Sequence, residues 1–374
     1  MAGLRILHTA DVHLGAPFRF LGPRGADHRR QLTATFSKVV DLAVTAQVDL
    51  FLVAGDLFDS PFPARGPVGE VLYQLERLES QGIWTVMVPG THDRLEPGGV
   101  YDDEAFASLS RFHLFREREM TPLVLDGLDA VIYGRRTEEQ RGDALRGLRA
   151  AEGAKWRLGL LHASVLVPGR VEKDELVVSR ESIARSGLHY LALGHWHTAA
   201  DFSSGGVVAW YCGSPEVLDM RGEGPGKALL VELREGEAAE VKPVVVGRRR
   251  FARKVVEGWE VGNPDVLFAL LRREADVDLA LEVVVKGLEG REWSTLDWED
   301  MEEELSPLFF HLRLRPEDVS PGEAASVYAE NTVAGRFFAL ARREMETTDE
   351  QTGRVAGEAL RIGLRYLEGM ETSP

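Results

Sequence analysis

The sequence has little cysteine, a deficit of positive charge and no long apolar run. Of its 374 residues only Cys212 carries a thiol, which rules out an intrachain disulfide and leaves no companion for a cysteine metal knuckle. Set in the apolar, strand-like run 207–212, it reads as a buried core residue. Lysine and arginine number 44 against 60 aspartates and glutamates, for a net charge of −16. Non-specific affinity for nucleic acid comes from neutralising phosphates with Lys and Arg. This chain therefore does not grip a polyanion by bulk charge, and any such work requires a local basic patch or a partner. No apolar stretch approaches the roughly 20 residues of a bilayer span. Residues 1–10 also lack the charged-then-apolar layout of a secretory signal. A cytoplasmic protein without membrane association is the expectation. The phosphate-binding loop G-x-x-x-x-G-K-[ST] is missing too, Gly226 and Lys227 standing without its other residues, so any ATP hydrolysis comes from another chain. Internal repeats and low-complexity segments are likewise not seen.

What is present is a globular composition with many carboxylates. With 44% hydrophobic and 28% charged residues, a chain of this length builds a large core and at least one smaller domain. Short apolar runs at 5–8, 50–53, 84–88, 158–161 and 190–193 alternate with amphipathic stretches, helical over 29–46 and 68–81. That alternation predicts an α/β layer architecture. Past about residue 241, basic segments and an alternating run at 279–285 predict a small α+β domain, with Pro316 and Pro321 bracketing a linker. Val333, Phe337, Leu340 and Ala341 then recur at helical spacing, and Val355, Ala359, Ile362 and Tyr366 form a second stripe. Thr348 and Gln351 are spaced as a capping box between them. The expected domains are 1–240, 241–318 and 322–372.

Each predicted strand runs into a polar segment holding Asp, His or both. In order these are Asp11 and His13 in TADVH, Asp56 in AGDLFD, His92 and Asp93 in PGTHD, His162 in LLHAS, and His195 and His197 in LGHWH. One histidine after one strand is ordinarily structural. Core packing, however, does not ask for Asp or His after five successive strands, and in open α/β sheets sites are built at the carboxyl ends of strands. Hard divalent cations prefer oxygen ligands, and imidazole suits transition metals such as iron and zinc, so the pattern points to a metal centre. Asp11 and His13 are two residues apart, as are His195 and His197, which on extended backbone puts both side chains on one face. The two oxygens of Asp56 can bridge two ions roughly 3.5–4 Å apart.

The series D-x-H, G-D-x-x-D, G-x-H-D, a single His and G-H-x-H resembles the signature of the calcineurin-like metallophosphoesterases over about the first 215 residues. The resemblance implies a layered α/β sandwich, here carrying a small α+β capping domain and a C-terminal helical tail. It implies two divalent metal ions, manganese first, with iron, zinc or magnesium compatible. One ion would be held by Asp11, His13 and His197, the second by His162 and His195, with Asp56 bridging. His92 would protonate or steady the leaving oxygen, and Asp93 would orient its ring. Asp59 would orient a ligand, contact substrate or cap its loop. The family's usual Asn ligand is Thr91 here, whose shorter hydroxyl implies weaker binding of the second metal.

The wording of LRILHTADVHLGAPF, VDLFLVAGDLFDS, YLALGHWH and YCGSPEVLD is similar to SbcD/YhaO-type repair nucleases. That likeness implies a DNA exo- and endonuclease working beside an SMC-like or AAA ATPase docked on the C-terminal helices. It also implies a homodimer through helices 29–46 and 68–81. Arg248, Arg249, Arg250, Arg253 and Lys254 form the densest basic patch, read either as a DNA-steering surface or as a solvated basic turn. Two other functions use overlapping features: a phosphodiesterase or phosphatase on small nucleotides, and a non-catalytic scaffold with a weakened metal site.

Overall fold

The computed structural model describes residues 3–137, 142–150, 153–167, 169, 171, 176–220, 224–288, 293, 296–317, 332–347, 359 and 363. It divides into two compact units, Met1–Phe251 and Ala252–Pro374.

The first unit begins with β1 (Leu4–Thr9), α1 (Gly25–Thr45), β2 (Leu50–Ala54), α2 (Arg65–Ser80), β3 (Trp84–Val88), α3 (Glu104–Ala107) and β4 (Phe112–Leu114). A hairpin of β5 (Thr121–Leu125) and β6 (Ala130–Gly134) follows, then β7 (Trp156–His162) and the short pair β8 (Ser164–Val165) and β9 (Val177–Val178). The unit closes with α4 (Arg180–Arg185), β10 (Tyr190–Gly194), β11 (Ala200–Asp201), β12 (Val208–Tyr211), β13 (Lys227–Leu233) and β14 (Glu240–Val245). Two six-stranded sheets result, ordered β14-β13-β1-β2-β3-β4 and β11-β12-β10-β7-β6-β5.

Strands β2 (LFLVA) and β10 (YLALG) are buried along their whole length, as expected for continuous apolar runs covered on both faces of a parallel sheet. Ile6, Leu52 and Val86 of the first sheet and Ile132, Leu158 and Leu160 of the second share one core cluster, so the sheets stack face to face. On the far side of the second sheet, Leu161, Leu191 and Leu193 pack with Ile183 of α4. The first sheet's crossovers are α1, burying Leu32, Phe36, Val39, Val40 and Ala43, and α2, burying Val71, Leu75 and Leu78. Each Val, Leu or Phe among them contributes about 1.5–3 kcal/mol when removed from water. The layered α/β sandwich expected from the motifs is the fold of this unit.

In the second unit, β15 (Arg250–Glu257), β16 (Asp276–Lys286) and β17 (Phe309–Glu317) form a sheet in that order, with β16 and β17 parallel. Helices α5 (Gly258–Val261), α6 (Pro264–Arg273) and α7 (Trp298–Leu305) accompany it. Leu267, Leu271, Val283, Met301 and Leu312 are members of its core. Helix α6 starts where Asn263 accepts a bond from the Val266 N–H and Pro264 sits at the first turn, a favoured helix start. Helix α8 (Val333–Thr347) matches the first C-terminal stripe. The stripe Val355, Ala359, Ile362 and Tyr366 lies outside the described residues apart from Ala359, as does the restart at Thr348. Residues 241–245, expected to open the second domain, belong to β14 (Glu240–Val245), the edge strand of the first sheet.

Candidate metal centre

The parallel strands β1, β2, β3, β7 and β10 deliver their motifs to one place. Loops 11–14 and 55–57 lie side by side and are laced by backbone bonds. Asp11 N–H donates to Gly55 O (3.1 Å), Val12 and His13 N–H to Asp56 O (2.9 and 3.0 Å), and Leu14 N–H to Leu57 O (3.0 Å). This lacing holds Asp11, His13 and Asp56 at φ of 52°, 52° and 51°, a left-handed conformation that costs a non-glycine residue about 1–2 kcal/mol. His195 is likewise at φ 101°. The tight approach explains two glycines: a Cβ on Gly90 would lie 2.1 Å from Asp56 Oδ1, and one on Gly55 2.4 Å from His162 Nδ1.

Three ligand groups converge, each with donor atoms within 4.8 Å of one another: Asp11, His13 and His197; Asp11, Asp56 and His162; and His13, Asp56 and His92. Asp11, His13 and Asp56 each serve two of them. His195 falls outside these three triplets, but its Nδ1 lies 3.3 Å from His162 Nε2, and its backbone N–H donates to both Asp11 oxygens at 3.1 Å. Thr91 is brought to the centre, its hydroxyl donating to Asp56 Oδ2 at 3.4 Å while the His92 N–H donates to Asp56 Oδ1 at 2.8 Å.

The donor set fits cations. His13 Nε2 is buried and has no hydrogen-bond partner among the described residues, although it lies 3.6 Å from Asp56 Oδ2. Its other nitrogen, Nδ1, is engaged by Asp59 Oδ1 at 3.0 Å, the carboxylate–histidine arrangement that orients metal-bound imidazoles. His162 repeats it with a carbonyl: Nδ1 bonds Ala54 O at 2.9 Å, while Nε2 sits 3.2 Å from Asp56 Oδ2. Burial opposes charge on His162, but Asp56 and Asp11 raise its pKa to about 10. Burial likewise works against the Asp56 carboxylate, yet His162 and His13 hold it well below the usual carboxylate range. Without cations, the histidine protons carry the positive charge that this nest of carboxylates requires.

His92 is half exposed, and its ring is held by Asp59, with Nδ1 3.4 Å from Oδ1. The hydrogen bond its ring gives to Asp59 is the main cause raising the His92 pKa to about 9, burial opposing it and Asp56 adding to it. The resemblance implied Asp93 as the carboxylate that orients this ring, whereas the carboxylate lying against it is Asp59. Asp93 is fully buried and accepts from the N–H groups of Leu57 (2.8 Å), Phe58 (3.2 Å) and Gly90 (2.7 Å) and from Tyr101 Oη (2.5 Å). It ties the β2 and β3 loops together. The spacing of GDLFD carried the signal for Asp59, but its two histidine partners become visible only in the folded loop.

The basic residues differ in burial and pairing. Arg249 is buried, with Nη1 3.1 Å from His28 Nδ1. Arg253 pairs with Glu282 at 3.2 Å, and Lys254 pairs with Glu274. Arg248 and Arg250 lie on the run leading into and opening β15.

A family model described as calcineurin-like phosphoesterase matches residues 4–199, the segment that carries every ligand named above. The uncharacterized metallophosphoesterase YhaO of Bacillus subtilis is 27% identical over 248 residues, covering 63% of this chain and 59% of YhaO. The DNA double-strand break repair protein Mre11 of Sulfurisphaera tokodaii is 29% identical over 251 residues (62% and 60%), and that of Aeropyrum pernix 29% over 277 residues (69% and 65%). The chain spans about 60% of the length of the first two of these relatives.

Proposed function

We propose, for a chain that belongs to the calcineurin-like phosphoesterase family, that it hydrolyses phosphodiester bonds of DNA with two divalent ions at this centre. The carrying observation is that Asp56 belongs to two ligand groups at once, with His13 Nε2 buried and unsatisfied beside it. When bound, such ions supply Lewis-acid neutralisation of phosphoryl charge and a water of lowered pKa. Asp11, His13 and His197 would hold one, His162 and His195 the other, with Asp56 shared and Thr91 at its edge. Manganese leads, and the mixed imidazole and carboxylate donors also accept iron, zinc or magnesium. His92, exposed on the rim and held by Asp59, donates a proton to the leaving oxygen. DNA as the substrate is supported by relatives named as double-strand break repair proteins.

Helix α8 supports an ATPase partner. Val333 and Leu340, on one stripe, are 72% and 64% exposed, an apolar face suited to docking. Homodimerisation through α1 and α2 belongs to the same reading, as does DNA contact by Arg248, Arg250, Arg253 and Lys254.

The test incubates the manganese-loaded protein with end-labelled single- and double-stranded DNA and with bis(p-nitrophenyl) phosphate. Manganese-dependent cutting that falls by roughly a hundredfold or more in Asp56→Asn is expected, since the bridging ligand serves both ions. DNA left intact while the small ester is cleaved would move the substrate to small nucleotides. An inert protein that still binds metal would make it a scaffold.

A further inference from the structure

A cleft of about 410 Å³ opens directly beside His195 and His197, within the first unit. We infer that it receives the nucleoside adjoining the scissile phosphate, a substrate subsite that rests on the phosphodiesterase reading above. A phosphate held at the metal centre has its sugar and base within a few ångströms, and this cleft is lined by two of the candidate metal-holding histidines, His195 and His197. Its volume falls in the range of small-ligand sites, roughly 300–1,000 Å³.

The lining suits a base and sugar. Trp196, Ala199 and Leu218 offer apolar surface, while Thr198, Asp219 and Lys227 place polar groups around it. Ser214, 4% exposed, also lines the cleft, and its Oγ has no hydrogen-bond partner among the described residues. A buried hydroxyl left unpaired costs about 1–3 kcal/mol, a cost that a bonding ligand would remove. Trp196 is fixed in place by stacking on Tyr211, with ring centroids 4.9 Å apart, and by donating from Nε1 to Ser164 Oγ at 3.2 Å.

The walls are built in advance. Backbone packs on backbone at two glycines: a Cβ on Gly213 (φ +72°) would lie 2.7 Å from Ala199 N, and one on Gly226 2.1 Å from Pro215 O. The segment from Ser214 to Asp219 is clamped from behind. Buried Glu216 accepts from Thr35 Oγ1 of α1 (2.7 Å) and from the N–H groups of Arg248 and Arg249 (3.0 Å each). His28 of α1 bonds the Val217 carbonyl at 2.8 Å. A wall fixed by a buried carboxylate and a histidine does not have to be ordered when the ligand arrives, which favours affinity.

The experiment narrows the cleft from two sides with Thr198→Phe, at an exposed position, and Leu218→Trp. Calorimetry follows thymidine 5′-monophosphate binding to manganese-loaded and to chelator-treated protein. Steady-state kinetics compare thymidine 5′-(p-nitrophenyl phosphate) with methyl p-nitrophenyl phosphate, a diester with the same leaving group and no ring to occupy the cleft. Both variants are expected to weaken nucleotide binding and raise KM for the nucleotidyl ester by roughly tenfold or more, while turnover of the non-nucleotidic ester stays within about twofold. Unchanged nucleotide binding in both variants, or equal losses on both esters, overturns the subsite. Nucleotide binding that depends on the cleft in a protein that hydrolyses neither ester keeps the subsite and removes the phosphodiesterase reading.

Discussion

Asp59 and Asp93 are both carboxylates near His92, and their surroundings give them opposite duties. Asp59 is partly exposed and touches His13 and His92, so its loss acts on ligand orientation and on the proton held by His92. Burial alone would raise its pKa, but bonds from those two rings hold it at about 2. Asp93 touches neither ring and satisfies three buried N–H groups and the Tyr101 hydroxyl. Asp59→Asn is therefore expected to lower metal affinity or kcat by roughly 10–100-fold, the usual cost of losing an outer-shell partner, with little change in Tm. Asp93→Asn is expected to lower Tm, because an amide facing four donors leaves buried groups unsatisfied at about 1–3 kcal/mol each. Parallel metal titrations and thermal melts separate the two, and a matching Tm loss in both variants would contradict this division.

At the scale of elements, the site depends on how closely two sheets approach. Gly194 ends β10 where a Cβ would lie 1.9 Å from Ala54 O and 2.8 Å from the Ala10 methyl. Those neighbours are backbone and core on the opposite sheet and cannot swing away. Gly194→Ala is expected to cost about 3 kcal/mol or more and to weaken metal binding with it. Gly127→Ala, which meets nothing within 4 Å, is expected to be neutral in the same denaturant titration. Loss of equal stability in both would refute the packing argument. Elements of this kind were legible in the sequence only as separate pieces. The apolar runs at 50–53 and 190–193 become β2 (Leu50–Ala54) and β10 (Tyr190–Gly194), since a continuous buried strand declares itself locally. The candidate ligand residues stand out in the sequence because they follow such strands. Pairing of β13 with β1 and the stacking of the two sheets were not, because contacts between residues distant in the chain leave no period in it. Likewise β14 reads as a new domain from its basic flank, and only its register with β13 returns it to the first sheet. Asp59's double contact and the burial of Arg249 required the folded loops for the same reason.

Over the whole molecule, proton binding sets a stability optimum that cations should displace. His8 and His28 are both fully buried. Burial lowers His8 to about 3, a Leu193 backbone bond only partly opposing it. Burial, with Arg249 adding to it against the Val217 carbonyl, lowers His28 to about 4. Both are depressed below the ordinary 6.5, so the unfolded chain takes up protons first as pH falls. Their contribution is complete above pH 6.5 and is lost toward pH 4 for His28 and pH 3 for His8, at up to about 1.4 kcal/mol per pH unit for each histidine. His162 and His92 have the opposite sign, being raised to about 10 and about 9. What they contribute is complete below pH 6.5 and is lost as pH rises toward 9 and 10. Chelator-treated protein should therefore be most stable near pH 6.5 and lose Tm on either side. Divalent ions compete with protons for the same imidazoles, so their binding strengthens as pH rises. Adding manganese should then recover the alkaline limb while leaving the acid limb, which belongs to His8 and His28 away from the ligand set, where it was. Melts from pH 4.5 to 9 with and without manganese check this, and an alkaline limb indifferent to the ion would show that protons and cations do not share the site.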